Sequence, residues 1–109
     1  MTSKIGTYQW MAPEVINNGS KYTEKADVFS FGIILWELAT RQPPYFGIDG
    51  KMVSEKVVKE GLRPKISEKE APGPFLDLMK RCWHKDPERR PMFGEIIGEL
   101  DAMNFKNIQ

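Results

Sequence analysis

Residues 26–40 read Ala26-Asp27-Val28-Phe29-Ser30-Phe31-Gly32-Ile33-Ile34-Leu35-Trp36-Glu37-Leu38-Ala39-Thr40, and this stretch decides the fold. On a helix with 3.6 residues per turn its apolar side chains cover every side, and a helix that is apolar all round is buried. The apolar run is too short and too often interrupted by polar residues to span a bilayer. The stretch therefore predicts a central core helix over about residues 24–40, with Thr23 as its N-cap and Arg41-Gln42-Pro43-Pro44 as its stop.

Length and composition predict one small domain without a metal or disulfide framework. The chain has 109 residues, 40% of them apolar, and a net charge of +1 from 16 basic and 15 acidic residues. This balance gives no indication of a nucleic-acid partner or of direct contact with an anionic membrane. One cysteine and one histidine are too few for a disulfide framework or a protein-only zinc site. No signal-peptide pattern opens the chain, so an intracellular, cytoplasmic location is expected.

Shorter helices are predicted around the central one, over about residues 51–60, 74–84 and 92–103. In the first of these, apolar residues recur at helical spacing at Met52, Val53, Val57 and Val58. In the last, the side chains expected to face inward are Phe93, Ile96, Ile97 and Leu100. No alternating run predicts a strand, so the predicted class is mainly α.

Three motifs in order carry a family resemblance. The first is Gly6-Thr7-Tyr8-Gln9-Trp10-Met11-Ala12-Pro13-Glu14, the second is Asp27-Val28-Phe29-Ser30-Phe31-Gly32, and the third is Cys82-Trp83-His84-Lys85-Asp86-Pro87-Glu88-Arg89-Arg90-Pro91. They resemble the end of a protein-kinase activation segment, the start of the kinase F helix and the turn between the H and I helices. Each is suggestive alone, and together they point to a protein kinase.

The resemblance implies a partial kinase domain over residues 1–109, forming the second half of the helical C-lobe. Residues 1–14 would be the end of the activation segment, and residues 24–40 the core helix. The sequences of two motifs, Trp10-Met11-Ala12-Pro13-Glu14 and Cys82-Trp83, are most similar to those of the tyrosine-kinase-like branch of serine/threonine kinases. Phe29, where many members have Trp, is a mild departure.

The resemblance also implies residues that position the substrate. Gly6, Thr7 and Trp10 would shape the pocket beside the phosphoacceptor, and the Gly6-Thr7 pair favours serine/threonine specificity. Glu37 could offer a negative charge to a basic substrate, although a capped or buried acid within the bundle is an equal alternative.

Three further residues have structural roles in the resemblance. Glu14 and Arg90 would form a carboxylate–guanidinium pair that fixes the substrate loop to the helices below it. Asp27 would accept hydrogen bonds from the catalytic loop, or, read alone, would be a helix-start acid that favours the positive end of the dipole.

The hydroxyls of the N-terminal loop are candidate phosphorylation sites. Thr2, Ser3 and Thr7 lie there beside Lys4. The alternative is that they are ordinary solvated hydroxyls, because a hydroxyl carries no mark of its modification.

The motifs that bind ATP and perform phosphoryl transfer cannot be found in these residues. A kinase needs a glycine-rich loop, a lysine–glutamate pair, a catalytic-loop aspartate and magnesium ligands. The sequence therefore predicts no catalytic residue, no metal ligand and no cofactor bound by this chain, and implies ATP and Mg²⁺ only for a complete kinase. The chain alone is expected to be inactive.

Three interpretations remain open at this point. The favoured one is a part of a serine/threonine kinase, whose partners are a protein substrate and the missing N-terminal part of the kinase domain. The second is a non-catalytic module that binds a peptide or a partner kinase through Tyr45-Phe46 and the helix over residues 51–60. The third is an independent helical domain. In the first, one flank of the core helix should be exposed and the isolated chain marginally stable.

Overall fold

A computed structural model describes residues 8–18, 23–67 and 69–103, and every regular element in these ranges is helical. The predicted mainly α class is therefore confirmed. The α-helices, in chain order, are α1 (Pro13–Asn18), α2 (Glu24–Thr40), α3 (Gly50–Glu60), α4 (Gly73–Cys82) and α5 (Phe93–Ala102). Two 3₁₀ turns, Tyr8–Trp10 and Pro87–Arg89, precede α1 and α5.

Helix α2 is the centre of the molecule, as predicted. The Thr23 hydroxyl accepts a hydrogen bond from the backbone N–H of Ala26 at 3.2 Å, which satisfies a free donor of the first turn. The helix ends at Arg41, whose φ of 59° lies in the left-handed region and whose N–H donates to the carbonyl of Glu37. Its buried residues lie on several sides of the helix: Ala26, Val28, Phe29, Gly32, Ile33, Leu35 and Trp36.

Helix α4 packs closely across α2 at Gly32. A Cβ atom on Gly32 would lie 2.9 Å from Cβ of Cys82 and 3.2 Å from the carbonyl oxygen of Met79. Only glycine therefore allows the two backbones to approach this far. Leu78, Met79 and Cys82 are fully buried at this crossing, where they supply much of the core.

Two side chains of the shorter helices differ from the sequence prediction. The prediction that Ile97 faces inward is wrong, because Ile97 is 65% exposed while its neighbour Ile96 is buried. Met52 is also exposed, whereas Val53 and Val57 of the same helix are buried. The helix boundaries differ from the expected ones by at most two residues, with α4 ending at Cys82 and α5 at Ala102.

One flank of α2 is not covered by the described helices. Ile34 and Leu38 are exposed, Leu38 to 63%. Beside them lies an open groove of about 500 Å³, lined mainly by apolar side chains of α2, α4 and α5, among them Phe31, Leu35, Leu38, Phe75 and Leu100. The central helix is therefore buried on most sides and open on one.

Candidate functional site

Arg90 joins the N-terminal segment to the helical core. Its side chain is fully buried and makes two parallel hydrogen bonds to Glu14, from Nη1 to Oε2 at 2.8 Å and from Nη2 to Oε1 at 3.0 Å. Nε also donates to the carbonyl of His84 at 2.7 Å, and Nη1 to that of Lys25 at 2.9 Å. A buried guanidinium with this many acceptors holds α1, α2 and the turn before α5 in one arrangement.

The environment of Glu14 favours its charged form. Burial acts to raise the pKa of this carboxyl, but the hydrogen bonds from Arg90 and the charge of its guanidinium outweigh burial, so the pKa lies below its ordinary value of 4.5. The pair is therefore charged at neutral pH. Glu14 also lines an open groove of about 610 Å³, but both of its carboxylate oxygens accept hydrogen bonds from Arg90.

The first turn of α2 strengthens the same junction. Nζ of Lys25 donates to the carbonyl of Arg90 at 2.6 Å, while the Lys25 carbonyl accepts from Arg90, so the two residues are bonded in both directions. Oε2 of Glu24 accepts from the backbone N–H of Phe93 at 2.9 Å, at the start of α5. Two consecutive residues thus connect α2 to the 3₁₀ turn and to the last helix.

Two guanidinium groups lie over the ring of Phe29. The Cζ atoms of Arg63 and Arg90 lie 4.9 and 5.1 Å from the centre of its ring, within the range of cation–π attraction. Nε of Arg63 donates to the carbonyl of Trp83 at 2.9 Å, and burial lowers the pKa of the Arg63 guanidinium. Sequence reasoning missed Arg63, because nothing local distinguishes it from a surface arginine.

Trp10 ties the first 3₁₀ turn to α2. Its indole Nε1 donates to Oε1 of Glu37 at 2.8 Å, and its carbonyl accepts from Oγ of Ser30 at 2.6 Å. The turn is thereby held by its side chain and its backbone, two helical turns apart along α2. Glu37 and Trp10, named separately from the sequence, are directly bonded, whereas the contribution of Ser30 was not anticipated.

Comparison of the chain with known protein families supports the resemblance carried by the three sequence motifs. A family model described as protein tyrosine and serine/threonine kinase matches residues 1–100. The chain belongs to the protein kinase family. The prediction made from the three motifs is thus confirmed.

Several kinases are similar to the chain over most of its length. It is 47% identical over 103 residues to the serine/threonine-protein kinase STY17 of Arabidopsis thaliana, covering 94% of this chain and 18% of that protein. It is 48% identical over 99 residues to a probable serine/threonine-protein kinase, drkC, of Dictyostelium discoideum, covering 91% and 13%. A putative serine/threonine-protein kinase/receptor, R831, of Acanthamoeba polyphaga mimivirus is 44% identical over 100 residues, covering 88% and 6%. The chain spans less than a fifth of each of these relatives.

Of the other residues predicted for a kinase site, only Asp27 lies within the described part of the chain. Gly6 and Thr7, and with them the candidate phosphosites Thr2 and Ser3, lie outside the described residues. Asp27 is exposed in the first turn of α2, and its carboxylate makes no hydrogen bond within the described ranges. It lies on the same face of α2 as Ile34 and Leu38, seven and eleven residues further on.

The described residues were compared with what a metal site and a membrane span require. Residues 8–18, 23–67 and 69–103 contain no group of three His, Cys, Asp or Glu side chains arranged to hold a metal ion. Among the helices described, none is long and apolar enough to cross a membrane. The contacts of Arg90 with Glu14 and of Glu37 with Trp10 can hold the N-terminal segment in a fixed position on the helices.

Proposed function

We propose that residues 1–109 form the substrate-side, C-terminal part of a serine/threonine protein kinase domain, with residues 1–14 as the end of its activation segment. In the complete domain this part would serve ATP-dependent phosphorylation of serine or threonine in a protein. The names of the relatives and the Gly6-Thr7 pair support serine/threonine rather than tyrosine specificity. An intracellular, cytoplasmic location goes with this proposal, together with the absence of any nucleic-acid or direct membrane partner.

The observation that carries the proposal is the double attachment of the N-terminal segment. Arg90 binds Glu14 through two hydrogen bonds, and Glu37 binds the indole of Trp10. Phosphoryl transfer depends mainly on positioning, because the protein contributes little covalent chemistry of its own. A segment held at two points offers a fixed surface on which the acceptor hydroxyl can be presented, with Gly6 and Thr7 as the proposed residues beside it.

The open face of α2 is the proposed seat of the rest of the kinase domain. Asp27 offers a carboxylate at one end of this face, and Ile34 and Leu38 offer apolar surface along it. A segment that places backbone N–H groups at Asp27 and an apolar stripe along the helix would satisfy both. In this proposal ATP, Mg²⁺ and the catalytic aspartate belong to that segment, and the 109 residues alone are inactive.

A chimera tests the function directly. The 109 residues replace the corresponding segment of the plant kinase STY17, and incorporation of phosphate from labelled ATP into a protein mixture is followed by phosphoamino-acid analysis. We expect phosphoserine and phosphothreonine without phosphotyrosine. A chimera that folds but transfers no phosphate, or that yields phosphotyrosine, would contradict the proposal.

Matched variants separate positioning from folding. Trp10→Phe removes the indole donor to Glu37 but keeps an aromatic ring, so we expect kcat/KM of the chimera to fall roughly tenfold while its melting temperature changes little. Gln42→Ala, at an exposed position after α2, is the control. An equal loss in both variants would argue against a positioning role for Trp10.

A further inference from the structure

The carbonyl of Trp10 lies where the local chain does not supply the usual donor. Trp10 ends the first 3₁₀ turn, and in such a turn a carbonyl is commonly satisfied by the backbone N–H three residues further on. That residue is Pro13, which has no N–H. A backbone acceptor that is partly withdrawn from water needs a partner, so the donor for Trp10 has to come from elsewhere in the fold.

Ser30 of α2 supplies that donor. Its Oγ lies 2.6 Å from the carbonyl oxygen of Trp10 and 3.5 Å from the carbonyl oxygen of Ala26, four residues before it in the same helix. A serine hydroxyl has one proton to donate, and within a helix it commonly donates to the carbonyl four residues before. Here the shorter distance assigns the proton to Trp10, so the hydroxyl bonds the N-terminal segment in preference to its own helix.

The two contacts of Trp10 with α2 constrain different parts of the residue. Glu37 accepts from the indole nitrogen, at the far end of a rotatable side chain, so the backbone of Trp10 can shift while that bond is kept. Ser30 bonds the backbone carbonyl itself, from a short side chain on a buried helix. The contact with Ser30 therefore determines where the backbone of Trp10 lies relative to α2.

The position of this backbone matters for the proposed reaction. Trp10 follows closely in the chain on Gly6 and Thr7, the residues proposed to lie beside the phosphoacceptor. Phosphoryl transfer depends mainly on positioning, and a misplacement of about 1 Å can lower a rate by as much as about a hundredfold. A hydroxyl that fixes the backbone at Trp10 therefore acts on the geometry of the acceptor.

We propose that Ser30 is a positioning residue of the kinase reaction, whose hydroxyl fixes the backbone of Trp10 and, through it, the segment that presents the acceptor hydroxyl. This proposal rests on the proposed function, because it takes the N-terminal segment to lie beside a bound protein substrate. Ser30 acts through Trp10 and does not itself contact the substrate or the nucleotide. Its hydroxyl raises the rate of transfer to the acceptor.

The first experiment measures opening of the 3₁₀ turn in the 109-residue chain by hydrogen exchange and mass spectrometry. Ser30→Ala should speed exchange in residues 8–12 at least about fivefold, because the turn loses its backbone bond to α2. Exchange in α4 should change by less than about twofold, since alanine favours a helix at least as well as serine. Ser54→Ala removes a buried hydroxyl that donates to the carbonyl of Lys51 within α3, and this matched control should leave residues 8–12 unchanged. Unchanged exchange in residues 8–12 of Ser30→Ala, or an acceleration that Ser54→Ala or α4 shares equally, overturns the proposal.

The second experiment measures phosphorylation of an acceptor peptide by the chimeric kinase. Ser30→Ala should lower kcat about fivefold while KM for ATP stays the same, because the nucleotide is proposed to bind to another part of the domain. Ser30→Thr keeps the hydroxyl and should restore most of the lost rate. An unchanged kcat in Ser30→Ala, or a threonine variant as slow as the alanine variant, overturns the proposal. A chimera that is inactive with Ser30 in place contradicts the proposed function instead, and the exchange experiment then decides whether Ser30 fixes the turn.

Discussion

The indole nitrogen of Trp10 and the carboxylate of Glu37, 27 residues apart, are joined by a 2.8 Å hydrogen bond. From the sequence these were two separate candidates, a ring beside the acceptor site and an acid for a basic substrate. In the fold, Oε1 of Glu37 accepts the hydrogen bond from Trp10. This carboxylate therefore holds the 3₁₀ turn, and that oxygen is not free to bind a substrate.

The Arg90–Glu14 pair should be a large contributor to stability. Arg90→Ala leaves the Glu14 carboxylate and several backbone carbonyls without their donor, and we expect a loss of about 3–5 kcal/mol in the free energy of unfolding. Urea denaturation followed by circular dichroism measures it. Arg89→Ala removes an exposed neighbouring arginine and should stay within about 0.5 kcal/mol. Similar losses for both would mean that the pair has no special role.

Acid should weaken the fold through the same pair. Because the pKa of Glu14 is lowered in the folded chain, the unfolded chain binds more protons below pH 4.5. Stability is therefore present above that pH and is lost as the pH falls through the folded-state pKa. In melts between about pH 6 and 3, Glu14→Gln should have a shallower pH dependence than the unchanged chain. Part of the slope should remain, because hydrogen bonds from Arg81 also lower the pKa of Glu99.

Two glycine substitutions should act in opposite directions. Gly32→Ala places a Cβ 2.9 Å from Cβ of Cys82 and should destabilise the fold by about 1–3 kcal/mol. Gly98→Ala lies in α5, where an added Cβ meets no atom within 4 Å, and should stabilise the chain by about 0.5–1 kcal/mol. Thermal unfolding of both variants checks the signs. A neutral Gly32→Ala would mean that the α2–α4 crossing is looser than described.

Cys82 should report on opening of the core. It is completely buried, and burial raises the pKa of its thiol to about 12, so the reactive thiolate is scarce. We expect a disulfide reagent such as DTNB to react at least about a hundredfold more slowly with the folded chain than with the chain in urea. Rapid labelling of the folded chain would contradict the buried position.

The open face of α2 should bind dye and promote association. Leu38→Lys replaces a largely exposed side chain beside the apolar groove, so it should change stability by less than about 0.5 kcal/mol. It should nevertheless reduce fluorescence of the dye ANS and self-association in light scattering. Ile97→Lys, equally exposed but outside the lining of that groove, is the control and should change neither.

The central helix and the protein family could be predicted from the sequence, but several contacts could not. Residues 26–40 are apolar on every side, a pattern that depends only on the local sequence, and α2 is buried on most of its sides. Ile97 was misplaced because α5 is short and its stripe is narrow, so a small rotation decides which isoleucine is buried. The roles of Lys25 and Arg63 depend on carbonyls more than 15 residues away, about which local spacing carries no information.

The anchoring arginine is 76 residues after its acid in the chain. During synthesis, Glu14 therefore leaves the ribosome long before the guanidinium that will hold it has been made. Until then the N-terminal segment has only its contacts with α2 and the elements nearest to it, and contacts of such long separation form slowly. Newly made chains should consequently pass through a period in which the Glu14 carboxylate has no cation, when chaperones and proteases have their best access to the N-terminal segment.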